Sequence, residues 1–209
     1  MIKLILLPIS LMLLMINIGC SPAGVLASGG GATMVIAEGD RSLGTVVDDA
    51  TIKLNLSGKF IQSENKLFLN INSNVTEGRV LLTGVVDTQE IRIEAVRKVW
   101  EIEGVREVIN EIDATEKGGI KQYLIDVKIK TRIRYKVIAD KEISSINYNF
   151  EVVNGIVYII GIAENKKELK KIVKHANTIG SVLKVVSHVI MKDDSRRKKY
   201  QRKLQEKKG

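Results

Sequence analysis

Residues 77–86 read EGRVLLTGVV, and residues 154–163 read NGIVYIIGIA. In both, a turn glycine precedes a run whose apolar positions alternate: Val80, Leu82 and Gly84 in the first, Val157, Ile159 and Gly161 in the second. Side chains along a strand point to opposite faces in turn, so the pattern predicts a strand. The glycine ahead of it supplies the positive φ of a tight hairpin. After Asp87 the period changes. Ile91, Ala95, Val99 and Ile102 recur at helical spacing up to Gly104, and Leu169, Ile172, Val173 and Ala176 do the same up to Gly180. Trp100, inside the first of these runs, is predicted to be core. A last strand follows each helix, at 105–112 and 182–191, and a further segment precedes each hairpin, at 45–61 and 122–139.

The two phrases belong to one repeat. Gly78 and Gly155 stand 77 positions apart, as do Gly84 and Gly161, while Gly104 and Gly180 stand 76 apart. Two copies are too few for a solenoid, so they predict two small homologous domains, 40–115 and 120–191. The fold class is α+β: each domain runs helix-strand-strand-helix-strand, with two helices on one face of a three-stranded mixed sheet. The first element of the second copy is ambiguous by pattern. Ile125, Val127, Ile129, Ile133, Tyr135 and Val137 alternate with charged residues as in a strand. Ile125, Ile129, Ile133 and Val137 also recur every fourth residue, as in a helix.

Composition adds cores and charge. Apolar residues make up 44% of 209, and the net charge is +9. That charge predicts attraction to polyanions: nucleic acid, anionic lipid or acidic polysaccharide. The compartment chooses among them. The chain opens with Lys3 and an apolar run from Leu4 to Gly19, short of the roughly 20 residues that span a bilayer. Residues 1–19 thus read as an export signal ending at NIGC, with Cys20 the only cysteine. An ordinary signal peptide or an uncleaved anchor are the other readings of this segment. Without a second cysteine no internal disulfide forms. Residues 20–39, rich in Gly, Ala and Ser, form a flexible linker.

Basic residues concentrate in two places. Lys128, Lys130, Arg132, Arg134 and Lys136 crowd the segment 123–139 with only Asp126 opposing, and Tyr123 and Leu124 stand at its start. On a helix, Lys128, Arg132 and Lys136 make one row and Lys130 with Arg134 a neighbouring one. Basic rows beside apolar anchors suit a surface helix on an anionic membrane, each cation contributing on the order of 1 kcal/mol. A solvated basic face is the alternative. The corresponding segment of the first copy carries only Lys53 and Lys59 against Asp48 and Asp49. The tail, 192–209, holds nine Lys or Arg against three Asp or Glu. It reads either as a disordered polycation adding avidity for an anionic surface or as a solvated tail, helical or not.

No catalytic, cofactor or metal site is expected. GxSxG, HExxH and P-loop patterns are absent, and His175 and His188 have no cysteine near them to complete a metal set. Adjacent Asp48 and Asp49 point apart on a helix, which suits capping or surface roles rather than a paired carboxylate.

The phrases GRVLLTG…GVREVINEI and NGIVYIIG…GSVLKVVSHVI resemble BON domains, repeated modules of periplasmic bacterial proteins. GDRSLGTVVDDATI, at 39–52, looks like the entry to the first domain of the dual-BON outer-membrane lipoproteins, the division- and outer-membrane-stress-associated lipid-binding proteins. NIGC resembles their lipobox, although Asn17 stands where Leu is usual. The resemblance covers about 40–191 and the lipobox. It implies a helix at 122–139, lipidation of Cys20, and an outer-membrane location, since Ser21 rather than Asp follows the cysteine. It further implies a non-enzymatic protein that binds anionic phospholipid through the first helix of its second domain and supports envelope integrity. Tyr123 or Leu124 would stand where the family more often has Trp. Nucleic acid and small-molecule substrates drop out as partners; envelope proteins, or a polyanion bound by the tail, are the alternatives.

Overall fold

The computed structural model describes residues 43–115 and 119–206. The signal segment, Cys20 and the linker lie outside them. The described residues belong to one compact unit that begins at Gly39. The element order is α1 (Leu43–Ile61), β1 (Ile71–Thr76), β2 (Arg79–Val86), α2 (Gln89–Trp100), β3 (Glu107–Ala114), then α3 (Ile120–Ala139), β4 (Tyr148–Val153), β5 (Ile156–Ala163), α4 (Lys166–Asn177), β6 (Lys184–Met191) and α5 (Ser195–Glu206). A single 3-10 turn precedes β1 and another precedes β4.

Each domain is the predicted mixed sheet. β1 pairs antiparallel with β2, and β2 pairs parallel with β3 through the α2 crossover; β4, β5 and β6 repeat this. The hairpin turns carry positive φ at both central residues, 51° and 71° at Glu77 and Gly78, 51° and 75° at Asn154 and Gly155. This is the twist a two-residue hairpin requires. An aspartate of the first helix clamps each turn. The Asp49 carboxylate accepts from Glu77 N and Gly78 N at 2.8 Å each, and Asp126 accepts from Asn154 N and Gly155 N at 2.8 Å each. Asp49 therefore caps a turn, as one of its two expected roles. Gly84 and Gly161 are needed for space: a Cβ would stand 2.0 Å from Asn70 O at the first and 2.3 Å from Asn147 O at the second.

Segment 122–139 is helix, although its β-branched residues favour a strand locally. Ile129, Ile133 and Val137 are buried in the second core with Phe150, Val157, Ile159, Ile172 and Ala176. Covering that sheet face outweighs propensity. The first core is built the same way, from Ile52, Leu56 and Phe60 of α1, Ala95 and Val99 of α2, and Val80, Leu82 and Val86 of β2. Trp100 is not part of it. The residue is 53% exposed, because its neighbour Val99 takes the inward position.

β2 and β5 are buried on both faces or nearly so, which is why they read as near-continuous apolar runs. Their second faces meet each other. Leu81, Ile109, Tyr158 and Ile160 form a third cluster between the two sheets. Polar contacts frame it. Asn74 Nδ2 donates to Glu151 Oε1 at 2.8 Å, His188 Nε2 lies 2.8 Å from Glu111 Oε1, and Arg79 Nη1 donates to His188 O at 2.9 Å. Asn74 and Glu151 are 77 positions apart, and so are Glu111 and His188. At this seam the chain meets its own repeat.

The tail is helical, as its second reading allowed, but it is not wholly solvated. Residues 195–206 are helical, and one side of α5 lies against the first domain while Ser195, Arg196, Lys198, Lys199 and Arg202 are exposed. Arg197 is 4% exposed and donates through Nε to Glu77 Oε1 at 2.9 Å and through Nη1 to Lys192 O at 2.9 Å; Glu77 is fully buried. The Arg106 guanidinium stacks over the Tyr200 ring, 3.7 Å from its centroid. The helix thus returns from the second domain and fastens onto the first hairpin.

Candidate functional site

With 3.6 residues per turn, α3 presents two apolar faces. Ile129, Ile133 and Val137 point into the core. On the opposite side, Ile120, Leu124, Val127, Tyr135 and Ile138 are all exposed, Tyr135 by 75% and Ile138 by 70%. They recur every three to four residues with Thr131 between them, so they form one stripe pointing away from the domain. Tyr123, 67% exposed, flanks its N-terminal end. Beside it opens a cleft of about 340 Å³ whose lining includes Leu69, Tyr123, Val127 and Lys130.

Cations border the stripe on both flanks. Lys121, Lys128, Arg132 and Lys136 fall on one side, Lys130 and Arg134 on the other. The two predicted rows are therefore not neighbours; the apolar stripe separates them. Lys128, Arg132 and Arg134 are exposed and Lys136 is half-buried, and among the described residues none of the four has an ion-pair partner. Lys130 differs. Its Nζ reaches Glu151 Oε2 at 2.7 Å, turned toward the sheet edge and the first domain. Of the residues the sequence singled out, Tyr123, Leu124, Lys128, Arg132, Arg134 and Lys136 thus share the outer surface, and Lys130 serves the fold. Ile120, Val127, Tyr135 and Ile138 were missed. Counting charge draws attention to the basic positions, whereas a second apolar stripe shows only once the core-facing one is known.

The equivalent helix of the first domain separates apolarity from charge. On α1, Val47, Leu54 and Ile61 are exposed at positions matching Leu124, Thr131 and Ile138. Both lysines there are engaged. Lys53 tucks its ammonium end against the Ser73 carbonyl and hydroxyl, and burial lowers its pKa below the usual lysine range. Lys59 pairs with Glu101 at 2.8 Å. Apolar exposure is common to the two helices, and free positive charge belongs to α3.

The histidines take structural partners. His175 Nε2 lies 2.8 Å from Asp140 Oδ2, and Lys171 donates to both Asp140 oxygens at 3.0 Å. Hydrogen bonds from His175 and Lys171 hold the Asp140 carboxyl well below its ordinary range. Among the described residues no group of three His, Cys, Asp or Glu is arranged to hold a metal ion. No described helix is long and apolar enough to cross a membrane.

Comparison with known proteins places these features in a family. The BON domain model matches residues 48–116 and again 125–193. A protein of Anaplasma centrale, "Uncharacterized protein in gshII 5'region", is 36% identical over 154 residues, covering 73% of this chain and 100% of its own. The 21 kDa hemolysin of Actinobacillus pleuropneumoniae is 30% identical over 152 residues, 71% of this chain and 78% of that one. The outer membrane lipoprotein DolP of Haemophilus influenzae is 27% identical over 144 residues, 68% and 74% of the two chains.

Proposed function

This chain belongs to the BON-domain family, in its two-domain form, and from that premise we propose that it is a lipid-anchored envelope protein that binds anionic phospholipid through α3. The observation that carries this reading is the exposed stripe of Leu124, Val127, Tyr135 and Ile138 between two flanks of unpaired cations. Apolar side chains enter the boundary between headgroups and acyl chains, and long basic side chains stay level with the phosphates. Four free cations, at about 1 kcal/mol each near an anionic leaflet, contribute on the order of 4 kcal/mol. Salt screens that term, so binding weakens as ionic strength rises.

The anchor would be Cys20, acylated after removal of residues 1–19, with the linker carrying the two domains on the periplasmic side of the outer membrane. DolP, by its name an outer membrane lipoprotein, supports that location. Labelling with a radioactive fatty acid tests the anchor: label is expected on the intact chain and lost from Cys20→Ala.

Co-sedimentation with vesicles tests the binding. Phosphatidylglycerol vesicles are expected to retain the protein and phosphatidylcholine vesicles to release it. Lys128→Glu/Arg132→Glu/Arg134→Glu abolishes retention while leaving the fold intact, because all three side chains are exposed and unpaired. Equal retention of the reversed variant sinks the proposal. A second reading has its own observation: Trp100 and Ile93 are both exposed on α2, two turns apart on one face of the first domain. An exposed tryptophan of this kind anchors protein partners. Loss of a partner protein in Trp100→Ala with unchanged vesicle binding would establish it as a separate surface.

A further inference from the structure

The outer layer of the second domain consists of α3 and α4, side by side over one sheet face and sharing one core. α4 buries Glu168, Ile172 and Ala176. The opposite face is lysine: Lys166, Lys170 and Lys174, one turn apart, all exposed. Lys167 and Lys171 flank this row on the side toward α3, and they are neutralised. Lys167 pairs with Glu142 at 3.2 Å, and Lys171 with Asp140 at 3.0 Å and Glu142 at 2.8 Å. The carboxylates at the end of α3 are thereby spent on the inner lysines, and Lys166, Lys170 and Lys174 have no partner among the described residues.

This row is placed against local stability. Lys166 and Lys167 occupy the first two positions after the Asn165 cap, where the helix dipole favours acidic side chains. Lys166, Lys170 and Lys174 also repel one another at four-residue spacing. In the first domain the matching positions are Gln89, Ile93 and Arg97, so the repeat does not call for lysine there. A local rule broken in one copy only, with no compensating contact, points to a ligand.

We propose that Lys166, Lys170 and Lys174 are a second contact for anionic phospholipid headgroups, engaged together with the α3 stripe. The inference rests on the lipid reading of α3. Both helices bury their inner faces in the same core, so their outer faces point the same way, and a membrane touching one meets the other. α3 supplies the apolar insertion and α4 supplies charge alone, which suits phosphates at the surface rather than acyl chains. The docked molecule would be held along two lines instead of one, fixing its tilt as well as its depth.

The test compares three full-length chains on phosphatidylglycerol vesicles: wild type, Lys166→Gln/Lys170→Gln/Lys174→Gln, and Lys→Arg at the same positions. The glutamine variant is expected to bind about tenfold more weakly or worse, with a shallower dependence on salt. The arginine variant keeps wild-type affinity. The melting temperature of the glutamine variant stays level or rises, since like charges have been removed. Glutamine-variant affinity within about twofold of wild type overturns the inference while leaving the α3 reading standing. The inference is likewise overturned if the glutamine substitutions lower binding to heparin but not to vesicles. A wild type that ignores the vesicles refutes the α3 reading and this one with it.

Discussion

The contact between Arg197 and Glu77 offers the sharpest test of how the two domains are fastened. The two residues are 120 positions apart, and their side chains are 5% and 0% exposed. Among the described residues Glu77 Oε2 has no hydrogen-bond partner, and Arg197 is the side chain that pairs with this carboxylate directly. Removing one member of a buried pair leaves the other charge uncompensated, which costs about 3–5 kcal/mol. Arg197→Ala is therefore expected to lower stability in urea by about 3 kcal/mol at pH 8, or the melting temperature by about 10 °C for a chain of this size. The pH dependence identifies the cause. Burial already pushes the Glu77 pKa up, and loss of Arg197 raises it further. A group whose folded pKa lies above its unfolded one contributes stability at low pH and loses it as pH rises through the folded value. The deficit of Arg197→Ala is thus smaller at pH 5 than at pH 8. Substituting both partners, Glu77→Asn with Arg197→Met, removes the stranded charge. The result stays within about 1 kcal/mol of wild type, because Asn154 already holds the same turn conformation in the second copy. A deficit for Arg197→Ala below about 1 kcal/mol, or one equal at both pH values, refutes this reasoning.

Three further outcomes follow from the surroundings of the glycines and of Tyr200. Gly84→Ala and Gly161→Ala each force a Cβ against a carbonyl oxygen, and each is expected to cost about 3 kcal/mol or more in urea unfolding. A Cβ at Gly58 in α1 meets no atom of the described residues within 4 Å, so Gly58→Ala gains about 1 kcal/mol, and a loss there would contradict the helix. Burial, with the Asp49 charge adding to it, pushes the Tyr200 phenol up to about 12. The stability it supplies is complete below about pH 10 and fades as pH rises toward 12. Phenolate absorbance, taken as the difference between wild type and Tyr200→Phe, checks this; a midpoint near 10 means that α5 is not docked.

The repeat was legible because its glycines have steric jobs. Gly78 and Gly155 take the positive φ of the turn, Gly84 and Gly161 make room for a carbonyl, and both jobs disfavour a Cβ, so the same offset recurs at each. The helix at 120–139 was not legible from its own residues. Isoleucine and valine on both sides blur the amphipathic signal, and only the uncovered sheet face decides. Trp100 misled for a related reason: helical spacing places a residue near an apolar neighbour without saying which of the two turns inward. The docking of α5 had no local sign at all. Arg197 resembles its basic neighbours, and what distinguishes it is Glu77, more than a hundred residues away. On α4 the lysines were visible in the sequence, but telling free from neutralised needed the positions of Asp140 and Glu142.

The seam where Asn74 meets Glu151 and Glu111 meets His188 has a consequence beyond holding two sheets together. An interface that pairs each position with its own copy obeys an approximate two-fold axis, and such a contact is closed: forming it once uses up both surfaces. One chain here does what a symmetric dimer of single domains would do, with neither copy left to recruit another molecule through that face. The axis also relates two helices that no longer resemble each other in charge. Duplication followed by internal pairing thus gives a module with one interior and two independent exteriors, and only the exteriors remain free to change.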